Sequence, residues 1–149
     1  NQVEGRKSTF HNHFWNPIMF AWHPMTIGCL IHDNHAVFND FITAYHTDWQ
    51  WWDILENAKV LEMKNAPDAL RPFIQVIDSY DNNEKLGIGF EAKVGNGKLL
   101  VLTVDTESDM DNRPATKQLI HSVENYVSSS QFNPSVAVDE QFIQSFLIQ

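Results

Sequence analysis

Residues 85–105 read KLGIGFEAKV, then GNGK, then LLVLTVD. Two strand-like runs are joined by Gly and Asn, which accept the positive φ that tight hairpins demand, so this stretch predicts a β-hairpin. In the first run Ile88, Phe90, Ala92 and Val94 fall on one face, with Gly87, Gly89, Glu91 and Lys93 on the other. The second run is apolar at both parities and reads as a central strand. Any fold for this chain must accommodate that hairpin.

The flanking segments supply the rest. TIGCLIH (26–32) is a short continuous apolar run, the pattern of a strand buried on both faces. HAVFNDF fits one or two helical turns. RPFIQVID (71–78) reads as a second buried strand, and Asn82-Asn83 as the turn after it. From Pro114 the pattern turns helical, with Leu119, Ile120, Val123, Tyr126 and Val127 forming an apolar stripe. Asp111 or Asn112 can cap this helix, and Pro114 suits its first turn. DEQFIQSFLI (139–148) is a last amphipathic piece.

The predicted class is α/β: a mixed, mostly parallel sheet with one antiparallel hairpin and flanking helices. We expect a single domain, with a loop-rich aromatic lead-in over 1–25, an α/β core over 26–134 and an amphipathic tail over 135–149. A chain of 149 residues can bury a full core. Asn1 and the NQVEGRKSTFHNHF that it opens do not form a signal peptide, so we expect the start to be a boundary within something longer.

The formal net charge of −9 disfavours a phosphate-backbone partner and an anionic membrane surface. No apolar run approaches the ~20 residues of a membrane-spanning helix. With Cys29 as the single cysteine, an internal disulfide and a cysteine zinc site are excluded.

HTDWQWWDILENA (46–58) puts three tryptophans into four positions. Thr47 and Gln50 have capping-box spacing, predicting a helix over about 48–57 with Asp48 in its first turn. On it Trp51, Ile54, Leu55 and Ala58 face the core, while Trp49 and Trp52 share a face with Asp53 and Glu56. Two readings of that mixed face stand: packing against the lead-in's Trp15 and Trp22 or at a domain interface, or a platform on which a sugar ring stacks. Packing is favoured, because Trp is mostly buried on average.

Other chemistry is thinner. His11/His13 and His32/His35 are closely spaced, but no H-E-x-x-H pattern or third ligand accompanies them, so hydrogen-bonded histidines are favoured over zinc. Asp105, Glu107 and Asp109 take alternate positions like the start of a calcium loop. Met110 and Thr116 stand where an EF-hand needs Gly and Glu, which favours a solvated acidic loop. Cys29 lies in a buried-looking strand without a nucleophile elbow, and no phosphate-binding glycine motif is present. No local context selects two carboxylates for glycoside hydrolysis.

Taken together, FWNPIMF, TIGCLIHDNHAVFNDFITAYHTDWQWWDIL, LRPFIQVIDSYDNNEKLGIGFEAKVGNGKLLVLTVD and DMDNRPATKQLIHSVENYVSSSQFNP resemble the C-terminal region of bacterial glycoside hydrolase family 2 proteins. These are multidomain enzymes of the β-galactosidase and β-glucuronidase type, commonest in gut Bacteroidetes. The resemblance covers about residues 14–134, and W-Q-W-W and D-N-R-P are its most specific parts. It implies a non-catalytic accessory or scaffold domain, similar to the flavodoxin or class I glutamine-amidotransferase fold but truncated and without a catalytic triad. It further implies a secreted or periplasmic parent glycosidase, partners among the parent's other domains, and no cofactor. Trp49, Gln50, Trp52, Asp111, Asn112 and Arg113 are the expected contact residues. The alternatives are a carbohydrate-binding module using Trp49 and Trp52, and a free-standing α/β hydrolase. A concave patch with both tryptophans exposed would favour the carbohydrate reading, a flat apolar patch the scaffold.

Overall fold

The computed structural model describes residues 6–7, 26–78 and 82–147. Most of the predicted lead-in, with His11, His13, Trp15 and Trp22, lies outside the described residues. Strands β1 (Arg6–Lys7), β2 (Thr26–Ile31), β3 (Lys59–Glu62), β4 (Ile74–Asp78), β5 (Leu86–Val94), β6 (Gly97–Leu102) and β7 (Ala137–Val138) form one sheet. Helices α1 (Trp52–Leu55), α2 (Pro114–Ser128) and α3 (Glu140–Gln144) flank it, with 3-10 turns at Ala36–Phe38, Trp49–Trp51 and Met110–Asn112. The chain is therefore mixed α/β.

The sheet is not mostly parallel. The strand path is β1-β3-β5-β4-β2, with β6 and β7 also joined to β5, and every pairing is antiparallel except β5 with β7. The connections explain this. Parallel neighbours need a crossover of a dozen or more residues, usually a helix, whereas β5 and β6 are joined by Gly95 and Asn96 alone. The long helix α2 comes late, and the strand after it, β7, is the one that pairs in parallel. Gly95 takes φ 56° at the first turn position, as a type II′ hairpin requires.

β2 and β6 also differ from expectation. β2 sits at one end of the strand path, burying Cys29 and Ile31 while Leu30 faces out. Tyr45 and His46 cover part of its free edge, through Ile31 N donating to Tyr45 O at 2.8 Å and a bridge between Leu30 and His46. β6 pairs with β5 and is exposed to half-buried along its length. The spine of the sheet is β5.

Strict alternation fails within β5 as well. Its register against β4 runs from Ile74–Gly89 to Gln75–Gly87, stepping over Ile88. Such a bulge places two successive residues toward one side. Ile88 packs in a core with Phe38, Trp51, Phe73 and Leu119, while Phe90 and Ala92 pack in a second core with Leu61, Met63 and Phe142. The hairpin thus divides its apolar residues between two cores.

Helix α2 lies over the first core through Thr116, Leu119, Ser122 and Tyr126, whereas Val127 is exposed. Two buried positions of its face are small and polar, which a stripe drawn from apolar letters misses. Ser122 Oγ donates to Val37 O at 2.6 Å and accepts from Asp40 N at 3.1 Å, clamping the Ala36–Phe38 turn to the helix. The tail docks on the second core. Asp139 caps α3 by accepting from Phe142 N at 2.7 Å, and Phe142 and Phe146 each lie 6.1 Å from the Phe90 ring.

Candidate functional site

The tryptophan segment begins one residue later than the capping box predicts. Asp48, not Thr47, is the N-cap: its Oδ1 accepts from Gln50 N at 3.1 Å. The first turn is 3-10 and relaxes into the short α1. Helical geometry then separates the tryptophans. Trp51 is fully buried, edge-on to Phe38 and Phe41, with its indole N–H donating to Thr43 Oγ1 at 2.9 Å. Trp49 and Trp52 point the other way, 88% and 53% exposed, with ring centroids 6.2 Å apart and planes tilted by 36°.

These two rings line a hollow. Its lining is Trp49, Gln50, Trp52 and Asp53 from one side and Asn112, Pro114 and Ala115 from the start of α2, around an open volume of about 430 Å³. Of the six expected contact residues, the structure brings four together here: Trp49, Gln50, Trp52 and Asn112. Gln50 Nε2 donates to Ile42 O at 3.0 Å, and Asn112 Nδ2 to Asp109 Oδ1 at 2.8 Å. Those bonds fix both amides, which in each case would otherwise set oxygen against oxygen.

Arg113 does not line the hollow and is only 7% exposed, with its guanidinium bonded to the chain. Its Nε and Nη2 donate to Asp53 O at 3.2 and 2.9 Å, and Nη1 donates to Ser108 O at 3.0 Å and lies 3.6 Å from Asp105 Oδ2. This guanidinium ties the two walls of the hollow together. Asp111 does not line it either. It stands in solvent and pairs with Lys117 at 3.1 Å. Neither Asp111 nor Asn112 caps α2: both lie in the 3-10 turn, the cap position falls on Arg113, and Pro114 opens the helix.

The acidic loop is held by its own backbone. Asp105 Oδ1 accepts from the backbone N–H groups of Glu107 and Ser108, each at 3.0 Å. Those bonds, Ser108 first, with the Ser108 side chain and the Arg113 charge, hold the Asp105 carboxyl at about 2. Asp109 takes the left-handed conformation, with φ 46°. Among the described residues no three His, Cys, Asp or Glu side chains converge as metal ligands, so Asp105, Glu107 and Asp109 do not form a cage. Cys29 is buried, and desolvation pushes its thiol up to about 12, far from nucleophilic use.

Two features had weak or no signal in the sequence. Asp53 was signalled only as a neighbour on the Trp49/Trp52 face. The cluster of His35, Glu91 and Tyr126 had no local signal, because its members come from distant segments. Tyr126 donates its hydroxyl to Glu91 Oε2 at 2.6 Å, and His35 Nε2 lies 3.8 Å from Glu91 Oε1. His35 Nδ1 accepts from Val37 N at 3.2 Å, starting the Ala36–Phe38 turn.

Comparison with known families adds one finding. The family model described as Domain of unknown function (DUF8487) matches residues 1–148. The chain belongs to that family. No curated protein matches this DUF8487 chain. Among the described residues of the DUF8487 chain, no helix is long and apolar enough to cross a membrane.

Proposed function

We propose that this chain is a non-catalytic accessory domain of a carbohydrate-degrading glycoside hydrolase, and that it contacts carbohydrate through the hollow between Trp49, Trp52 and the start of α2. The observation that carries the reading is the exposure of both indoles in a shallow, open hollow with Gln50, Asp53 and Asn112 beside them. A sugar has an apolar C–H face that stacks on an indole and a rim of hydroxyls that needs polar partners. Amphipathic ligands of this kind are held by an aromatic surface and a few placed polar groups. The resemblance to glycoside hydrolase family 2 proteins supplies the context: a periplasmic or secreted parent whose other domains are the protein partners.

A finer kinship with flavodoxin-like or class I glutamine-amidotransferase-like domains belongs to the same proposal only in reduced form. The antiparallel pairing of β2, β4 and β5 does not favour it.

The test is intrinsic tryptophan fluorescence of the chain titrated with oligosaccharides. A saturable change is expected. Trp49→Ala and Trp52→Ala should each weaken binding at least about tenfold, the loss of roughly 1.5 kcal/mol of stacking and burial, while the fold is retained. No saturable change with any glycan, although acrylamide readily quenches the tryptophans, would refute the sugar contact.

A second reading has its own observation. Ile42 and Tyr45, in the loop that Gln50 holds, are 90% and 65% exposed. Large apolar side chains exposed to this degree favour a contact with another domain of the parent. In that case adding the remainder of the parent protein, rather than sugar, would shield Trp49 and Trp52 from quenching.

A further inference from the structure

We propose that the hollow selects uncharged sugars and rejects those bearing carboxylates or sulfates; this rests on the carbohydrate reading above. The inference comes from the charges that line the site. Asp53 is the ionisable residue in the lining, and no Lys, Arg or His accompanies it. Its inner oxygen, Oδ2, is sealed from solvent and has no hydrogen-bond partner, so nothing neutralises the carboxylate through that atom. The nearest cation that the structure ties to Asp53 is Arg113. That guanidinium is buried, donates to the Asp53 and Ser108 backbone carbonyls, and is matched by Asp105. It has no free face to offer an anionic ligand.

The neutral polar groups suit hydroxyls. With one amide hydrogen each committed to Ile42 O and Asp109 Oδ1, Gln50 and Asn112 keep a carbonyl oxygen and one N–H. Hydroxyls can donate to the former and accept from the latter. A uronate or sulfate would instead bring a second negative charge beside Asp53, within a chain of net charge −9. Like charges a few ångströms apart at an open protein surface repel enough to cost roughly tenfold to hundredfold in affinity. Stacking geometry is the same for a neutral sugar and its uronate, so the discrimination falls on the charge.

The experiment is a paired titration of the full chain with neutral oligogalactosides and oligoglucosides and with their matched uronates. Tryptophan fluorescence is read at low and at physiological salt. Neutral glycans should bind at least about tenfold more tightly than their uronates, and the gap should narrow as salt rises. Asp53→Asn, checked for an unchanged circular dichroism spectrum, should shrink the ratio of neutral-glycan to uronate affinity at least about threefold, whatever it does to the affinity for the neutral glycan itself. Equal binding of the two series, or a gap unmoved by both salt and Asp53→Asn, would overturn the selection while leaving a sugar site standing. Absence of binding by either series would overturn the carbohydrate reading itself. Tetramethylammonium binding more tightly than any sugar would also overturn both, since the two indoles and Asp53 would then be a cation site.

Discussion

Replacing Gly89 by Ala tests the packing of β5 directly. The glycine is not at a positive φ, so alanine meets no backbone penalty there. On conformational grounds alone the change should stabilise the strand by about 0.5–1 kcal/mol. The structure predicts the opposite sign. A Cβ at residue 89 would stand 2.3 Å from Phe73 Cε2, 2.7 Å from Cζ and 3.0 Å from Cδ2. Phe73 cannot simply swing away. It is buried, with its ring 5.9 Å from that of Phe38 and 5.3 Å from that of His35. Overpacking of this kind costs about 1–3 kcal/mol, enough to outweigh the conformational gain and leave a net loss of roughly 1–2 kcal/mol. For a chain of this size that corresponds to a fall in Tm of about 2–8 °C. Urea unfolding of four proteins provides the assay: the parent chain, Gly89→Ala, Phe73→Leu and the double variant. Because both changes act on one contact, the double variant should be more stable than the sum of the singles by about 1 kcal/mol. A Gly89→Ala chain as stable as the parent, or strict additivity in the cycle, would refute the claim that Phe73 lies on this glycine.

Arg113→Met keeps the aliphatic stem and removes the guanidinium. With three hydrogen bonds to carbonyls and the Asp105 pair lost, the expected cost is about 2–4 kcal/mol, read by the same unfolding assay. Any glycan binding should weaken as well, although Arg113 does not line the hollow, and near-native stability would contradict its role as a tie between the walls. His35 predicts a pH effect. Burial first, and then the charge of His32, lower its pKa below the usual 6.5, against the raising effect of Glu91. The unfolded chain therefore binds this proton first: the contribution is intact above 6.5 and is lost as pH falls from 6.5 toward the depressed folded value. Urea midpoints measured from pH 8 to 5 should fall through that window, and His35→Asn, whose side-chain oxygen can still accept from Val37 N, should flatten the slope. A parallel profile in His35→Asn would assign the pH dependence elsewhere.

The elements of this chain were legible where their signals are local. The β5–β6 hairpin, the two flanking strands and α2 each follow from periodicity and turn chemistry within a dozen residues. What the letters do not carry is pairing. TIGCLI reads as a strand buried on both faces because an apolar run is what a parallel, doubly covered strand looks like. Here Leu30 faces outward on an end strand, and part of the run's shielding comes from Tyr45 and His46, residues that no strand pattern marks as partners. The bulge at Ile88 is hidden for a related reason. Residues 87–90 alternate glycine with apolar residues, and a glycine has no side chain to show which face it occupies. Only Phe73, arriving from another segment, reveals that Gly89 lies with Ile88.

The site shows the same boundary between local and distant information. Helical spacing placed Trp51 inward and Trp49 and Trp52 outward, because that separation depends on three residues of one short helix. The DNRP start of α2 was picked out as a contact region, and Asn112 does line the hollow. Which of four adjacent residues turns inward was not legible, since Asp111, Asn112 and Arg113 are all polar and equally plausible at a surface. The fold decides it through residue 53. Its backbone carbonyl, left over at the short α1, lies where a guanidinium can reach it, and Arg113 is the side chain long enough and forked enough to bond it twice while meeting Ser108 and Asp105. Once Arg113 is drawn in, Asn112 and Pro114 on either side of it are left facing Trp49 and Trp52. The arginine's burial thus ties the segments on either side of the hollow, and one of the six expected contact residues holds the walls without lining the space between them.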